Sequence, residues 1–86
     1  MNKIYQIELH RKAKKELSKI PSKYKAEISL ALVRLSISPY SGKPLDGRYK
    51  GYFSLKLWPY RIIYEIIHDQ VIIFVIKIGH RKDIYK

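Results

Sequence analysis

Residues 60–86 read YRIIYEIIHDQVIIFVIKIGHRKDIYK, and this stretch decides the fold. Segments 60–67 and 71–78 are rich in β-branched and aromatic residues, a composition that suits pleated strands better than helices. His68-Asp69-Gln70 between them is short and polar, which predicts a hairpin. Past Gly79 the chemistry changes to His80-Arg81-Lys82-Asp83 and then Tyr85. Two apolar strands thus deliver a cationic and aromatic tail to one edge of a sheet.

Upstream, residues 52–57 alternate, with Phe53, Leu55 and Leu57 on one side and Tyr52, Ser54 and Lys56 on the other. Trp58-Pro59 makes the turn into the next strand. Residues 39–51 hold two prolines, three glycines, Ser41 and Asp46, and are expected to be loop. Before them Tyr24, Ile28, Ala31, Leu32 and Leu35 mark one helix, ended by Ser38-Pro39 because proline disfavours helical geometry in the residue before it. Residues 10–20 carry Ala13, Leu17 and Ile20 at i, i+4 and i+7, with Arg11, Lys12, Lys14, Lys15 and Lys19 on the other face. Pro21 separates the two helices. At the start Tyr5, Ile7 and Leu9 alternate with Gln6 and Glu8, a half-buried strand over 4–9. The expected fold is a single α+β domain over residues 1–86, in the order β-α-α-β-β-β. A two-helix hairpin packs on one face of a sheet whose last three strands form an antiparallel meander.

The chain has 86 residues, with 18 Lys and Arg against 7 acids, a net charge of +11. Such an excess points to a polyanionic partner. There is no cysteine, hence no disulfide framework and no thiolate chemistry, which is compatible with a cytoplasmic protein. The first ten residues carry no secretory apolar core, and no run approaches the roughly 20 apolar residues of a membrane helix. No membrane association, metal or cofactor is expected.

Strand parity locates a candidate surface. If Phe53, Leu55 and Leu57 face the helices, Lys56 faces outward. On the last strand Ile72, Phe74, Ile76 and Ile78 are the more uniformly apolar set, so strict alternation turns them inward and leaves Val71, Ile73, Val75 and Lys77 on the open face. Tyr60, Ile62, Tyr64 and Ile66 are the inward set of the middle strand, with Arg61 and Glu65 outward. Lys56, Arg61, Lys77 and Arg81 then converge on one face. Guanidinium and ammonium groups in that arrangement suit phosphate oxygens, and Tyr or His rings suit unpaired bases.

At this point the chain resembles the RelE/ParE superfamily of toxins from toxin–antitoxin pairs. The resemblance rests on Ala13-Lys14-Lys15-Glu16-Leu17 with Ile20-Pro21, on Pro44-Leu45 and Gly47, and above all on Tyr60-Arg61-Ile62-Ile63-Tyr64-Glu65 followed by Gly79-His80-Arg81-Lys82-Asp83-Ile84-Tyr85. RelE-like members are endoribonucleases that cut mRNA in the ribosomal A site without a metal, the ribose 2′-hydroxyl attacking the adjacent phosphate. By position, the resemblance gives Arg61 the charge on the phosphate, Arg81 a phosphate or leaving-oxygen contact, and Tyr85 the orientation of the RNA. Lys56 would hold or deprotonate the nucleophile, and His80 would be an acid or base. Arg48, Lys50, Lys77 and Lys82 are expected to contact the substrate backbone.

The chain departs from the pattern at Ser54, where many ribonuclease members carry a second basic residue. A serine cannot take over a cationic role, so the general base stays open. The sequence also ends one residue after Tyr85, short of the C-terminal helix of some relatives. ParE-like members, the alternative, share the fold but inhibit DNA gyrase by binding, without nucleolytic chemistry. A module that binds RNA without cutting it is a third reading. The resemblance further implies an antitoxin partner, acidic in its neutralising segment, docking on the cationic face and on the helix hairpin that carries Lys12 and Lys19.

Overall fold

In the computed structural model, residues 3–85 are described. Five strands, β1 (Gln6–Leu9), β2 (Lys43–Pro44), β3 (Phe53–Leu57), β4 (Tyr60–Ile67) and β5 (Ile72–His80), form one mixed sheet in the order β1-β5-β4-β3-β2. Helices α1 (Arg11–Lys19) and α2 (Ser22–Ile37) pack together on one face. The expected α+β architecture is present, with one addition. Within the anticipated 39–51 loop, Lys43 and Pro44 pair with Ser54 and Phe53 as a short edge strand. Two residues give no period to detect, which is why the sequence shows only loop there.

The helices start and stop for local reasons. His10 caps α1 by accepting the Lys12 N–H on its Nδ1 at 3.0 Å. Ile20 and Pro21 are extended between the helices, and α2 runs to Ile37, with Ser38 as its cap before Pro39. The buried helix stripe is Ala13, Ile20, Ile28, Ala31 and Leu35. It meets Ile62, Tyr64, Ile73, Val75 and Ile78 from the sheet.

That sheet set corrects the phase expected for the last strand. Ile73 and Val75 point into the core and pair with Ile66 and Tyr64, while Ile72 and Phe74 lie on the open face opposite Ile67 and Glu65. The register then shifts: Ile63 pairs with Lys77 and Tyr64 with Val75, so Ile76 is one extra residue on β5. Beyond this bulge the phase is inverted, with Ile78 inward and Lys77 outward. Strict alternation from Ile73 and Val75 would bury Lys77 among aliphatic side chains, a costly place for an ammonium. One inserted residue avoids that cost.

Tyr64 fastens the loop to this core. Its hydroxyl donates to the Pro39 carbonyl at 2.6 Å and accepts the Gly42 N–H at 3.0 Å, and its ring stacks on Phe53. A Cβ on Gly42 would lie 2.6 Å from the Tyr64 hydroxyl and 3.0 Å from the Ser54 carbonyl, so only glycine fits. Burial raises the phenol's pKa above its ordinary value of 10.0, opposed by the Gly42 N–H. The folded state therefore keeps a proton that the unfolded chain releases. That contribution is complete below about pH 10 and is lost as pH rises beyond it. We expect Tyr64→Phe, which orphans both loop groups, to cost about 1–3 kcal/mol in chemical denaturation near neutral pH. It should also flatten part of the alkaline loss of stability. A variant as stable as the wild type would refute this role.

Candidate active site

The open face holds a cleft of about 600 Å³, lined by Ser41, Lys43, Pro44, Leu45, Asp46, Ser54, Leu55, Lys56, Arg61 and Tyr85. Lys56 and Arg61 are direct cross-strand partners on β3 and β4, so pairing itself sets two cations side by side on one wall. Like charges at that spacing repel one another, and an anion placed between them relieves the repulsion. Ser54, 6% exposed, lies one step along the same face of β3, and its hydroxyl has no hydrogen-bond partner among the described residues. Asp46, exposed at the rim, is the one carboxylate among the described lining residues.

A turn over residues 81–85 folds back across this face. The Asp83 and Ile84 N–H groups donate to the His80 carbonyl, and Lys77 Nζ donates to the Ile84 carbonyl at 2.8 Å and to the Tyr49 hydroxyl at 3.4 Å. Ile63 and Ile84 are buried yet stand outside the main core cluster, a small second apolar layer under the turn. Tyr85 is thereby brought over Arg61, with the guanidinium carbon 6.0 Å from its ring centroid, and meets Tyr49 edge-on at 5.6 Å. Arg81 turns to the hairpin tip, with its guanidinium carbon 4.4 Å from the Trp58 ring centroid and its N–H on the Pro59 carbonyl at 2.9 Å.

A family model described as the ParE toxin of type II toxin–antitoxin systems matches residues 7–85. The chain belongs to this toxin family. It is thus a type II toxin of the RelE/ParE superfamily, as its C-terminal motifs imply. It is 31% identical over 84 residues to the toxin RelG of Mycobacterium tuberculosis, covering 95% of this chain and 97% of that protein. Among solved structures, the toxin–antitoxin complex RelBE of M. tuberculosis includes a chain that superposes with a TM-score of 0.84 at 29% identity, over 91% of this chain and 99% of that one. The isolated RelE toxin of Escherichia coli gives 0.77 at 28%, over 88% and 83%.

In this family member the residues anticipated from sequence fall into four groups. Lys56, Arg61 and Tyr85 come together in the cleft. Lys77 lies beneath the turn as its anchor, and Arg81 stands at the hairpin tip against Trp58. Arg48, Lys50 and Lys82 are exposed, the first two on the turn around residues 47–50. His80 is not brought to the cleft. It pairs with Tyr60, and its ring meets Tyr60 edge-on at 6.0 Å; Tyr60 in turn contacts Tyr24 of α2. The ring is therefore on the helix side of the sheet, opposite Arg61.

Sequence reasoning passed over Asp46 and Trp58. Asp46 looked like turn composition, and Trp58 like part of a hairpin turn. Their exposure and their cationic neighbours are tertiary facts. We expect Lys77→Met to speed hydrogen exchange at the Asp83 and Ile84 amides and to lower stability by about 1.5–3 kcal/mol, the worth of a hydrogen bond from a charged group. Unchanged exchange would show that the turn stands without the lysine.

Proposed function

We propose that the toxin is a ribosome-dependent endoribonuclease acting on mRNA in the A site. The observation that carries the reading is the cross-strand pair Lys56–Arg61 lining the cleft with Tyr85 set over Arg61. A phosphodiester between the two cations would have one non-bridging oxygen on each. The ribose 2′-oxygen attacks phosphorus, the P–O5′ bond breaks, and the products carry a 2′,3′-cyclic phosphate and a free 5′-hydroxyl. Negative charge builds on the non-bridging oxygens in the transition state, where preorganised cations act most strongly. Arg61 and Lys56 fill that role, and Tyr85 holds the adjoining nucleotide. Arg81, near the tip, meets the phosphate or the departing oxygen.

Two proton transfers remain to be assigned. Asp46 takes the 2′-hydroxyl proton in this reading, Lys56, acting as a cation, holds the nucleophile, and the departing 5′-oxygen takes its proton from a water admitted at the open rim of the cleft. His80, on the far face, has no direct part. The alternative, gyrase inhibition by binding alone, matches the name of the family model but gives no account of a concave site with a paired lysine and arginine.

The partner in this reading is a cognate antitoxin with an acidic neutralising segment. The cationic face supplies the charge complement. On the helix hairpin, α2 leaves Leu30, Val33 and Ile37 exposed on one stripe, so the antitoxin gains apolar burial there as well. Association is expected to weaken with salt, and salt-insensitive binding would argue against a charge-led interface.

Primer extension on a defined message with purified ribosomes tests the site. Arg61→Ala should slow cleavage by about 10²–10³-fold, and Asp46→Asn by about 10²–10⁴-fold if it is the base. His80→Gln should stay within about tenfold of wild type. An intact message with wild-type protein, together with loss of gyrase supercoiling activity, would overturn the ribonuclease reading. Abolition by His80→Gln alone would overturn the assignment of the base.

A further inference from the structure

We propose that Trp58 and Arg81 form a stacking platform for an RNA base next to the phosphate held by Lys56 and Arg61. The inference rests on the ribonuclease reading and adds a base subsite to it. Trp58 is the only tryptophan in the chain and is 72% exposed, so it contributes little to the core. It is nevertheless held in place: the turn it occupies joins the Leu57–Tyr60 rung, and the Arg81 N–H donates to the neighbouring Pro59 carbonyl. The Arg81 guanidinium covers the indole at 4.4 Å from the ring centroid, a close cation–π contact.

Spacing ties this platform to the cleft. Trp58 lies two residues beyond Lys56, about 7 Å along an extended chain, so a nucleotide bound at the Lys56–Arg61 rung has its neighbour within reach of the indole. Ring and guanidinium also pair at Tyr85 and Arg61. One ring–guanidinium pair thus stands in the cleft and a second at the adjoining hairpin tip. Every base has a π-face, so such stacking tolerates sequence. An exposed tryptophan beside an arginine is also the composition of a protein-binding hot spot. Its place one rung from the Lys56–Arg61 pair, with Arg81 on the ring, favours the nucleic acid.

The sole tryptophan makes the test direct. The full chain is titrated with a short 2′-O-methyl RNA, which cannot attack its own phosphates, and with an abasic oligomer of the same length and charge. We expect the base-bearing RNA to quench the indole and the abasic oligomer to bind without comparable quenching. Measured by anisotropy of a labelled oligomer, Trp58→Ala should weaken binding of the base-bearing RNA by about 5- to 100-fold. It should leave the abasic oligomer unaffected, and Trp58→Phe should recover most of the loss. Equal quenching by both oligomers, no quenching by either, or unchanged RNA affinity in Trp58→Ala would overturn the proposal. So would a Trp58→Ala protein that binds RNA normally but loses an acidic antitoxin peptide, which would make Trp58 a protein anchor. Ribosomal cleavage by the wild type is scored separately. Its absence alongside base-dependent quenching would sink the ribonuclease reading and leave the base subsite standing.

Discussion

One inserted residue in β5 sets the two faces of the sheet. The strand must place Ile73, Val75 and Ile78 against the helices while keeping Lys77 out of the core, and no uninterrupted period of two does both. The bulge at Ile76 resolves the conflict locally. Before it the open face carries Ile72 and Phe74; after it, the same face carries Lys77 and Gly79. The cationic end of the molecule begins where the phase inverts. Bulges bend a strand and re-aim its side chains, and here the re-aimed side chain is the lysine that anchors the C-terminal turn.

Two clamps then shape the cleft from opposite sides. From the core, the Tyr64 hydroxyl holds the Pro39 carbonyl and the Gly42 N–H, fixing the loop that supplies Ser41, Lys43 and Asp46. From the open face, Lys77 holds the Ile84 carbonyl and so brings Tyr85 over Arg61. Between them the β3–β4 pairing sets Lys56 beside Arg61 with no loop involved. The charged pair stands on rigid strands, and the aromatic and acidic groups on clamped connections. A site built this way holds both its charged wall and its rim in place.

Much of this was legible in the sequence. The order of the two helices and the longer strands, both helix ends and the outward pair of Lys56 and Arg61 follow from periodicity and proline placement. The reading failed where tertiary structure overrides period. Ile72 and Phe74 looked like core because all of residues 71–76 is apolar, and an apolar run carries no phase. Lys77 came out on the expected face only because the bulge offset that inverted phase. The β2 strand was hidden by its two-residue length, and His80 was assigned by motif position although strand pairing sends its ring to the helix side. Ser54 stands out in the sequence as a missing cation; its burial on the cleft wall, with no hydrogen-bond partner for its hydroxyl among the described residues, is a structural fact.

The family places the chain among toxins, and its geometry sets paired cations and a ring in one cleft, the site we propose for a phosphodiester. The central claim is that this site moves charge within the RNA itself, using the neighbouring 2′-hydroxyl as nucleophile. Mass spectrometry of the new 3′ ends left on a ribosome-bound message by the wild-type protein tests it most directly. A 2′,3′-cyclic phosphate, paired with 5′-hydroxyl downstream fragments, is the predicted result. Ends bearing a 3′-hydroxyl and a 5′-phosphate would mean that water attacked instead, and would contradict the account.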